Sequence, residues 1–240
     1  MLCKVKQKRR AVFIGSSLRI ERFWAEVSNL QNKIIVAGIG PGGEEFITPA
    51  ALKSIRAAKF LVGGRRALNE FSSPNQITCA VTRDLDAPID FIREKILLDN
   101  VVVMVSGDPG YYSLLDLLRK HFPPASIEVI PSISAMQLAF AKLALPWHDA
   151  TLLSFHGRQP ARADLQFSAG KILGLLTDAE FNSATVAKIL LDCGWDKNSS
   201  ISICARLSYP DENIFTTTLA EAAQSPPVKH CVLIVQDAYC

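Results

Sequence analysis

The chain has 240 residues, of which 49% are hydrophobic and 20% charged, and this composition is typical of a globular protein rather than a disordered one. No apolar run approaches the roughly 18 residues that a membrane span needs, so we expect no membrane segment and a cytoplasmic location. Residues 1–30 carry seven Lys and Arg against two Glu, and the other 210 residues have 19 basic against 21 acidic side chains, so the folded part does not indicate a nucleic-acid partner.

Residues 1–32 are interpreted as a basic leader outside the folded body. A secretory signal needs an apolar core of about 7–15 residues, and 11–14 is too short for one. Three interpretations of the leader remain open: a disordered tail, a start codon placed too far upstream, or a targeting segment. We favour a dispensable tail. The six cysteines include no C-x-x-C pair, which predicts buried free thiols in a reducing compartment; they are Cys3, Cys79, Cys193, Cys204, Cys231 and Cys240.

The body begins with an apolar strand at 34–37 that leads into the glycine-rich run Gly38-Ile39-Gly40-Pro41-Gly42-Gly43. The run matches the G-x-G-x-x-G of dinucleotide-binding sites, but Pro41 interrupts it, and the helix is predicted to begin later, behind Thr48 as its N-cap. The acidic residue expected about 20 residues further on is also absent, since 60–66 reads FLVGGRR. A nicotinamide-dependent enzyme is therefore disfavoured, and a glycine-rich ligand loop remains.

After this loop, apolar strands and helices alternate. The sequence predicts a doubly wound sheet, with helices at 50–58, 65–71, 88–98, 111–121 and 135–143 and strands at 59–62, 77–81, 101–105 and 127–130. The strand Val101–Val105 is apolar throughout, as expected of a parallel strand that is buried on both faces.

Three of these strands end in loops rich in Gly or Ser, at 38–43, 106–110 and 131–134. Because ligands bind at the carboxyl ends of strands in open α/β sheets, three such loops on one edge predict a shared crevice. Asp108 lies in the middle loop, flanked by glycines that let a ligand approach the backbone. That this loop is simply a favourable turn is an equally good reading of the loop alone.

Residues 146–150 break the pattern and are interpreted as a linker between an N-terminal α/β domain, 33–145, and a C-terminal α/β domain, 151–240. In the second half, the sequence predicts a helix ended by Gly194, at 185–193, and strands at 151–155, 171–176, 200–205, 213–218 and 231–235. The last two strands have no long helix between them, so we predict a mixed sheet with some antiparallel strands.

Several segments resemble the S-adenosylmethionine-dependent tetrapyrrole methylases of corrin and sirohaem synthesis, and within them the precorrin-6Y or cobalt-precorrin-7 C5-methyltransferase branch. The resemblance covers residues 33 to about 236 and is carried by 36–43, 62–68, 106–113, 129–138, 143–147, 154–158, 175–178 and 209–212. The segments SFHGR at 154–158 and LPW at 145–147 point to the branch. Ser132 departs from the usual Pro-Gly-Ile-Ser, and a positive φ at that position would strain the cofactor loop.

The resemblance implies a two-domain tetrapyrrole-methylase fold that transfers a methyl group from S-adenosylmethionine to C5 of a corrinoid in cobalamin biosynthesis. It implies that Asp108 pairs with the amino group of the cofactor, and that the cofactor-binding residues are Gly40, Pro41, Gly42, Asp108, Ser134 and Thr177. His156 and Arg158 are the catalytic candidates. His156 would orient the substrate or move a proton, and a structural role is an equal alternative. No metal site is expected.

Since a corrin precursor carries many carboxylates, basic side chains are expected around the site, although each one alone is more readily explained as surface: Arg65, Arg66, Arg83, Arg158 and Arg206. Tyr111 and Tyr112 are expected to pack locally, and Trp147 to pack at the domain junction. A homodimer is implied. The C15 methylation and decarboxylation of the pathway are expected of a separate protein, since 236–240 cannot hold a second cofactor site. A methylase of another tetrapyrrole step and a non-catalytic partner of the same fold remain alternatives.

Deletion of residues 1–30 is expected to change neither the melting temperature nor the turnover, because the leader has no strong apolar periodicity and its charges are mostly of one sign. Thermal denaturation and a methyl-transfer assay check this. A fall of several degrees in the melting temperature would show that the leader packs on the body.

Overall fold

A computed structural model describes residues 31–237, so the predictions for the leader up to residue 30 lie outside the described residues. The chain forms two compact units. The first comprises the described residues up to Ile39 together with Ile47–Ser132, and the second comprises Gly40–Phe46 and the chain from Ile133 onwards. Within residues 31–237, no helix has both the length and the apolar character that a membrane crossing requires.

The first unit is a parallel five-stranded sheet with helices on both faces, as predicted. Its strands are β1 (Ile34–Gly38), β2 (Phe60–Gly64), β3 (Ile77–Val81), β4 (Val101–Val105) and β5 (Ile127–Ile130). Its helices are α1 (Pro49–Ala57), α2 (Arg65–Phe71), α3 (Asp86–Lys95) and α4 (Leu115–His121), with a 3-10 turn at Pro124–Ser126. The strand order is β3-β2-β4-β1-β5, and all neighbouring strands run parallel.

The central strand β4 is buried on both faces, which confirms the prediction from its apolar run. None of its residues is more than 7% exposed. Val101, Val103 and Val105 join a cluster that includes residues of α3 and α4, whereas Val102 and Met104 join a second cluster that includes residues of α1 and α2. Burial of one such side chain stabilises the fold by about 1.5–3 kcal/mol, so this strand anchors both faces of the sheet.

The chain leaves the neighbouring strands β1 and β4 in opposite directions. From β1 it passes through α1 on one face to reach β2, and from β4 it passes through α4 on the other face to reach β5. Connections that diverge in this way leave a crevice at the carboxyl ends of the two strands, where ligands bind in open α/β sheets. The topology therefore predicts a ligand site at the loops that follow β1 and β4.

Local signals in the sequence mark the start of α1 correctly and that of α4 incorrectly. Pro49 begins α1 behind the N-cap Thr48, whose hydroxyl accepts a hydrogen bond from Ala51 N at 3.2 Å. The predicted helix 111–121 is wrong over its first turn, since α4 begins at Leu115. Tyr112 has a φ of +49°, which a right-handed helix does not permit.

The second unit contains a mixed five-stranded sheet, which confirms that prediction. Its strands are β6 (Thr151–Ser154), β7 (Ile172–Leu176), β8 (Ser200–Ala205), β9 (Asn213–Thr218) and β10 (Cys231–Gln236), in the order β6-β7-β10-β8-β9. Only β6 and β7 pair in parallel. Its helices are α5 (Ala135–Lys142), α6 (Arg162–Leu165), α7 (Ser183–Asp192) and α8 (Leu219–Gln224), with a 3-10 turn at Glu44–Phe46. The short α6 and α8 were not predicted, because so few residues show no helical period.

The helix α5 belongs to the second unit, although the predicted N-terminal domain extends to residue 145. Met136 and Phe140 of α5 pack over Gly174 of β7, where an added Cβ would lie 2.6 Å from Met136 Sδ and 3.0 Å from Phe140 Cε2. By its contacts, the chain passes into the second compact unit after Ser132, and the linker at 146–150 stays a prediction. Contacts between residues far apart in sequence decide this boundary, and a break in the local pattern does not report them.

Predictions for individual core residues hold in part. Cys193, Cys204 and Cys231 are buried free thiols as predicted, and Cys79 is a partly buried one. Trp147, which was expected to pack at a domain junction, is 44% exposed.

Replacing Gly38 with Ala is expected to destabilise the protein. An added Cβ would lie 2.7 Å from the backbone oxygen of Gly107 and 2.6 Å from Ser132 Cβ, so the loops would have to move. Overpacking of this kind costs about 1–3 kcal/mol, or several degrees in melting temperature. Gly64→Ala is the control, because nothing lies within 4 Å of its added Cβ. Equal melting temperatures for the two variants would contradict the packing described.

Candidate functional site

Three loops meet at the carboxyl edge of the first sheet, as the sequence predicts. Gly38 ends β1, and a Cβ built on it would lie within 2.8 Å of Ser132 Cβ, Gly107 O and Pro109 Cδ. Ile39 N donates a hydrogen bond to Val105 O at 3.0 Å, which continues the pairing of β1 and β4 beyond the strand end. The end of β1 and the loops that follow β4 and β5 thus lie together where β1 and β4 diverge.

Asp108 holds two of these loops together. Its Oδ1 accepts a hydrogen bond from Gly110 N at 2.8 Å, and its Oδ2 accepts one from Ser132 N at 3.0 Å. The carboxylate is partly exposed, and an ionised carboxylate has about four acceptor sites, so these two bonds fix its position without exhausting its capacity. Five described non-glycine residues have a positive φ, and Ser132 is not one of them, so serine causes no backbone strain there.

The same loop carries a buried polar atom without a partner. The hydroxyl of Tyr111 is inaccessible to solvent and makes no hydrogen bond within the part of the chain that the structure describes. Burial is the larger cause that raises the pKa of this hydroxyl above its ordinary value, followed by the neighbouring Tyr112. The rings of Tyr111 and Tyr112 pack edge to face with their centroids 4.8 Å apart, which agrees with the local packing expected from the sequence.

The predicted cofactor residues Gly40, Pro41 and Gly42 lie in the second unit. Gly40 has a φ of +74°, and Gly42 is buried with its α-carbon against the ring of Tyr209, where an added Cβ would lie 2.5 Å from Cε2. No helix opens within the run, since α1 begins only at Pro49. This confirms the sequence argument against a dinucleotide-binding loop.

Two further predicted cofactor residues, Ser134 and Thr177, use their hydroxyls within the fold. Ser134 is the N-cap of α5, and its Oγ accepts a hydrogen bond from Gln137 N at 3.1 Å. Thr177 Oγ1 donates to Cys231 O at 2.7 Å and accepts from Cys231 N at 2.8 Å. The only proton of the Thr177 hydroxyl is therefore used between β7 and β10, so this hydroxyl could contact a ligand only as an acceptor.

The catalytic candidates His156 and Arg158 follow β6 and are exposed. His156 Nδ1 lies 3.5 Å from Thr177 O. The turn between the two candidates is held by Gly157 N, which donates to Asp178 Oδ2 at 2.9 Å. This bond is the largest cause that lowers the pKa of the Asp178 carboxyl below its ordinary value.

Sequence reasoning missed Asp178 and His230 as members of this cluster. The ring of His230 lies 6.4 Å from that of His156 between centroids, and His230 N donates to Asp178 O at 3.2 Å. Each residue lies next to the end of a buried strand. Asp178 is the second residue after β7, and His230 directly precedes β10. Their nearness follows only from the antiparallel pairing of β7 with β10.

The expected basic residues have different surroundings. Arg65 and Arg83 are exposed, and Arg66 forms an ion pair with Glu70 at 3.9 Å. Arg206 Nε donates to both carboxylate oxygens of Asp211, at 3.1 and 2.9 Å, so this guanidinium is already paired. Within residues 31–237, no group of three or more His, Cys, Asp and Glu side chains is placed to hold a metal ion.

A separate cavity of about 400 Å³ lies in the first unit beside α1, and it is lined in part by Lys59, Asp99 and Asn100 near the amino ends of β2 and β4. None of the candidate residues lines it. We therefore place the candidate site at the carboxyl edge, where the polar groups and close loop contacts lie.

The family model and the curated relatives that match this chain all belong to one group of enzymes. Residues 33–223 match the family described as Tetrapyrrole (Corrin/Porphyrin) Methylases. A Methanocaldococcus jannaschii protein named probable cobalt-precorrin-7 C(5)-methyltransferase is 30% identical over 199 residues, which cover 79% of this chain and 91% of that protein. The cobalt-precorrin-7 C(5)-methyltransferase of Salmonella typhimurium is 32% identical over 164 residues, which cover 67% of this chain and 79% of that protein.

A longer relative and a solved structure complete the comparison. A Sinorhizobium protein named precorrin-6Y C(5,15)-methyltransferase [decarboxylating] is 26% identical, over 82% of this chain and 48% of its own length. Uroporphyrin-III C-methyltransferase from Thermus thermophilus, crystallised with S-adenosylhomocysteine, has the same fold, with a TM-score of 0.66 at 22% identity over 87% of this chain and 93% of its own. The chain belongs to the tetrapyrrole (corrin/porphyrin) methylases, a family of enzymes that use S-adenosylmethionine.

Proposed function

We propose that the protein transfers a methyl group from S-adenosylmethionine to C5 of a corrin precursor, precorrin-6Y or cobalt-precorrin-7, in cobalamin biosynthesis. The observation that carries the proposal is the position of Asp108, whose carboxylate holds two loops together at the carboxyl edge of the first sheet, where β1 and β4 diverge. The names of the Methanocaldococcus and Salmonella relatives support the choice of C5.

The residues at this edge suit the proposed cofactor. Asp108 has acceptor capacity left for the ammonium group of an amino acid, a charge-assisted hydrogen bond. Tyr111 offers a buried hydroxyl that lacks a partner among the described residues. The run at 40–43 contains three glycines, which place no side chain beside a ligand. Asp108 and Tyr111 are therefore the residues of the first unit that we assign to holding the cofactor, and the family resemblance implies the same role for the run at 40–43.

The reaction requires the protein mainly to align the methyl donor with the nucleophilic carbon of the substrate. When bound, S-adenosylmethionine would supply a methyl group on a sulfonium. A carbon nucleophile would take this methyl group in line, with S-adenosylhomocysteine as the leaving group and without a covalent enzyme intermediate. Correct positioning of two reactants is worth about 7–11 kcal/mol of the barrier. Fixed loops provide this. We assign His156, which adjoins the turn that Asp178 holds through Gly157 N, to orienting the substrate or accepting a proton. Arg158 is assigned to a substrate carboxylate.

The proposal extends to partners. We propose a homodimer located in the cytoplasm, and a separate protein for C15 methylation and decarboxylation. The Sinorhizobium relative, whose name includes both activities, matches this chain over 48% of its own length.

Asp108→Ala is expected to weaken binding of S-adenosylhomocysteine about tenfold or more, because a hydrogen bond to a charged group is worth about 1.5–3 kcal/mol. Titration calorimetry measures this, with wild-type protein expected to bind at micromolar or better affinity and NADPH not to bind. Asp99→Ala is the matched control, since Asp99 also accepts a local backbone N–H, from Asn100, but at the other end of β4. Unchanged affinity in Asp108→Ala would show that this loop is wrongly assigned.

The purified chain is expected to add one methyl group to its corrin precursor and to release no carbon dioxide. The product mass after incubation with isotopically labelled S-adenosylmethionine measures both. Addition of two methyl groups, or loss of a carboxyl group without a partner protein, would contradict the proposal. No transfer to any corrin or porphyrin precursor, despite cofactor binding, would favour a non-catalytic partner of the same fold.

A further inference from the structure

The glycine-rich run after β1 is held by a segment far away in sequence. Gly40–Phe46 groups with the second unit, and the segment that contacts it there is Arg206–Glu212, which follows β8 and is called the Tyr209 loop below. Gly43 N donates a hydrogen bond to Ser208 Oγ at 2.9 Å, across 165 residues of sequence. The backbone of the run is thus fixed by a side chain of the Tyr209 loop.

The ring of Tyr209 provides a second contact. Gly42 is buried, and a Cβ built on it would lie 2.5 Å from Tyr209 Cε2 and 2.8 Å from Ser208 Oγ. Real Cβ atoms do not approach other atoms this closely, so only glycine fits beside the ring in this arrangement. The space that a side chain at Gly42 would need is therefore filled by the protein itself.

The Tyr209 loop has a strained backbone. Arg206 and Ser208 have φ values of +54° and +68°, in the left-handed region that non-glycine residues rarely adopt. Such residues persist only where their surroundings determine the conformation, and they concentrate at functional sites.

Side chains at both ends of the loop maintain this conformation. Arg206 pairs with Asp211 through Nε, and its guanidinium carbon lies 4.3 Å from the centre of the Tyr209 ring. Glu212 accepts hydrogen bonds from Ser208 N and from Lys142 Nζ of α5, both at 2.7 Å. These bonds fix the conformation of the Tyr209 loop. The loop contacts the glycine-rich run through two residues, Ser208 and Tyr209.

We infer that Ser208 and Tyr209 are positioning residues that hold Gly42 and Gly43 in the conformation that binds the methyl donor. The inference rests on the proposed function, since it takes the glycine-rich run as part of the S-adenosylmethionine site. Its consequence is that changes in the Tyr209 loop alter cofactor affinity, whereas turnover at saturating cofactor stays close to that of the wild type.

The test uses the full chain with S-adenosylhomocysteine as the probe. Ser208→Gly removes the hydroxyl and suits the positive φ, so it should fold; we expect its Kd to rise about 3- to 10-fold, the effect of one hydrogen bond. Tyr209→Leu should act in the same direction, and Tyr209→Phe, which retains the ring, should bind as the wild type does. The KM for S-adenosylmethionine should rise with little change in kcat.

The control is Thr218→Ala, which removes the N-cap hydrogen bond that Thr218 Oγ1 accepts from Glu221 N in α8. This variant should lose melting temperature without a change in Kd. If wild-type protein does not bind S-adenosylhomocysteine, the proposed function fails. If the wild type binds and both Ser208→Gly and Tyr209→Leu bind within twofold of it, the positioning inference fails alone.

A double variant examines the contact between Tyr209 and Gly42 directly. Gly42→Ala should weaken binding because its Cβ meets the Tyr209 ring. Adding Tyr209→Ala to Gly42→Ala removes the ring and should recover part of the lost affinity, although Ser208 remains close. A double variant that binds no better than Gly42→Ala would overturn the role of the ring.

Discussion

The burial of β4 between two helical layers is the constraint on which the site in the first unit depends. Its side chains alternate between two cores, so a shift of one residue in register would exchange the two sets of contacts. The pairing of Val103 with Val36 of β1 is therefore fixed, and Gly107 always emerges beside Gly38. Core packing, more than any preference of the loops, brings the three strand ends together.

Much of the fold was predictable because its signals are local. The bounds of Val101–Val105, Arg65–Phe71 and Asn213–Thr218 match the predicted ones. A serine follows each of the first two segments, and Asn213 begins the third, so at least one end of each is marked by a residue common in turns. Tyr111–Leu114 was predicted as helix because its apolar spacing suits one, but Tyr112 adopts a positive φ that spacing does not reveal. The grouping of α5 with the second unit is not visible in the sequence for a related reason, as it depends on contacts with β7.

The site was predictable in position but not in its bonds. The strand-and-loop pattern located Asp108, yet its bond to Ser132 N joins residues 24 apart, and the tie between Thr177 and Cys231 spans 54 residues. His230 reaches His156 only through the antiparallel strand β10. Family resemblance supplied the residue set, and the structure shows which atoms of those residues the fold already uses.

A glycine in a ligand loop is usually interpreted as room for the ligand, and Gly38 and Gly42 have a different role. At both positions the nearest atoms to an added Cβ belong to the protein, Ser132 and Gly107 in one case and Tyr209 in the other. Two carboxylates have a comparable role, since Asp108 and Asp178 each hold loop backbone. A reaction that depends on alignment gains more from fixed loops than from titratable groups. Glycines that allow close packing and carboxylates that tie backbone are the means by which this chain fixes them.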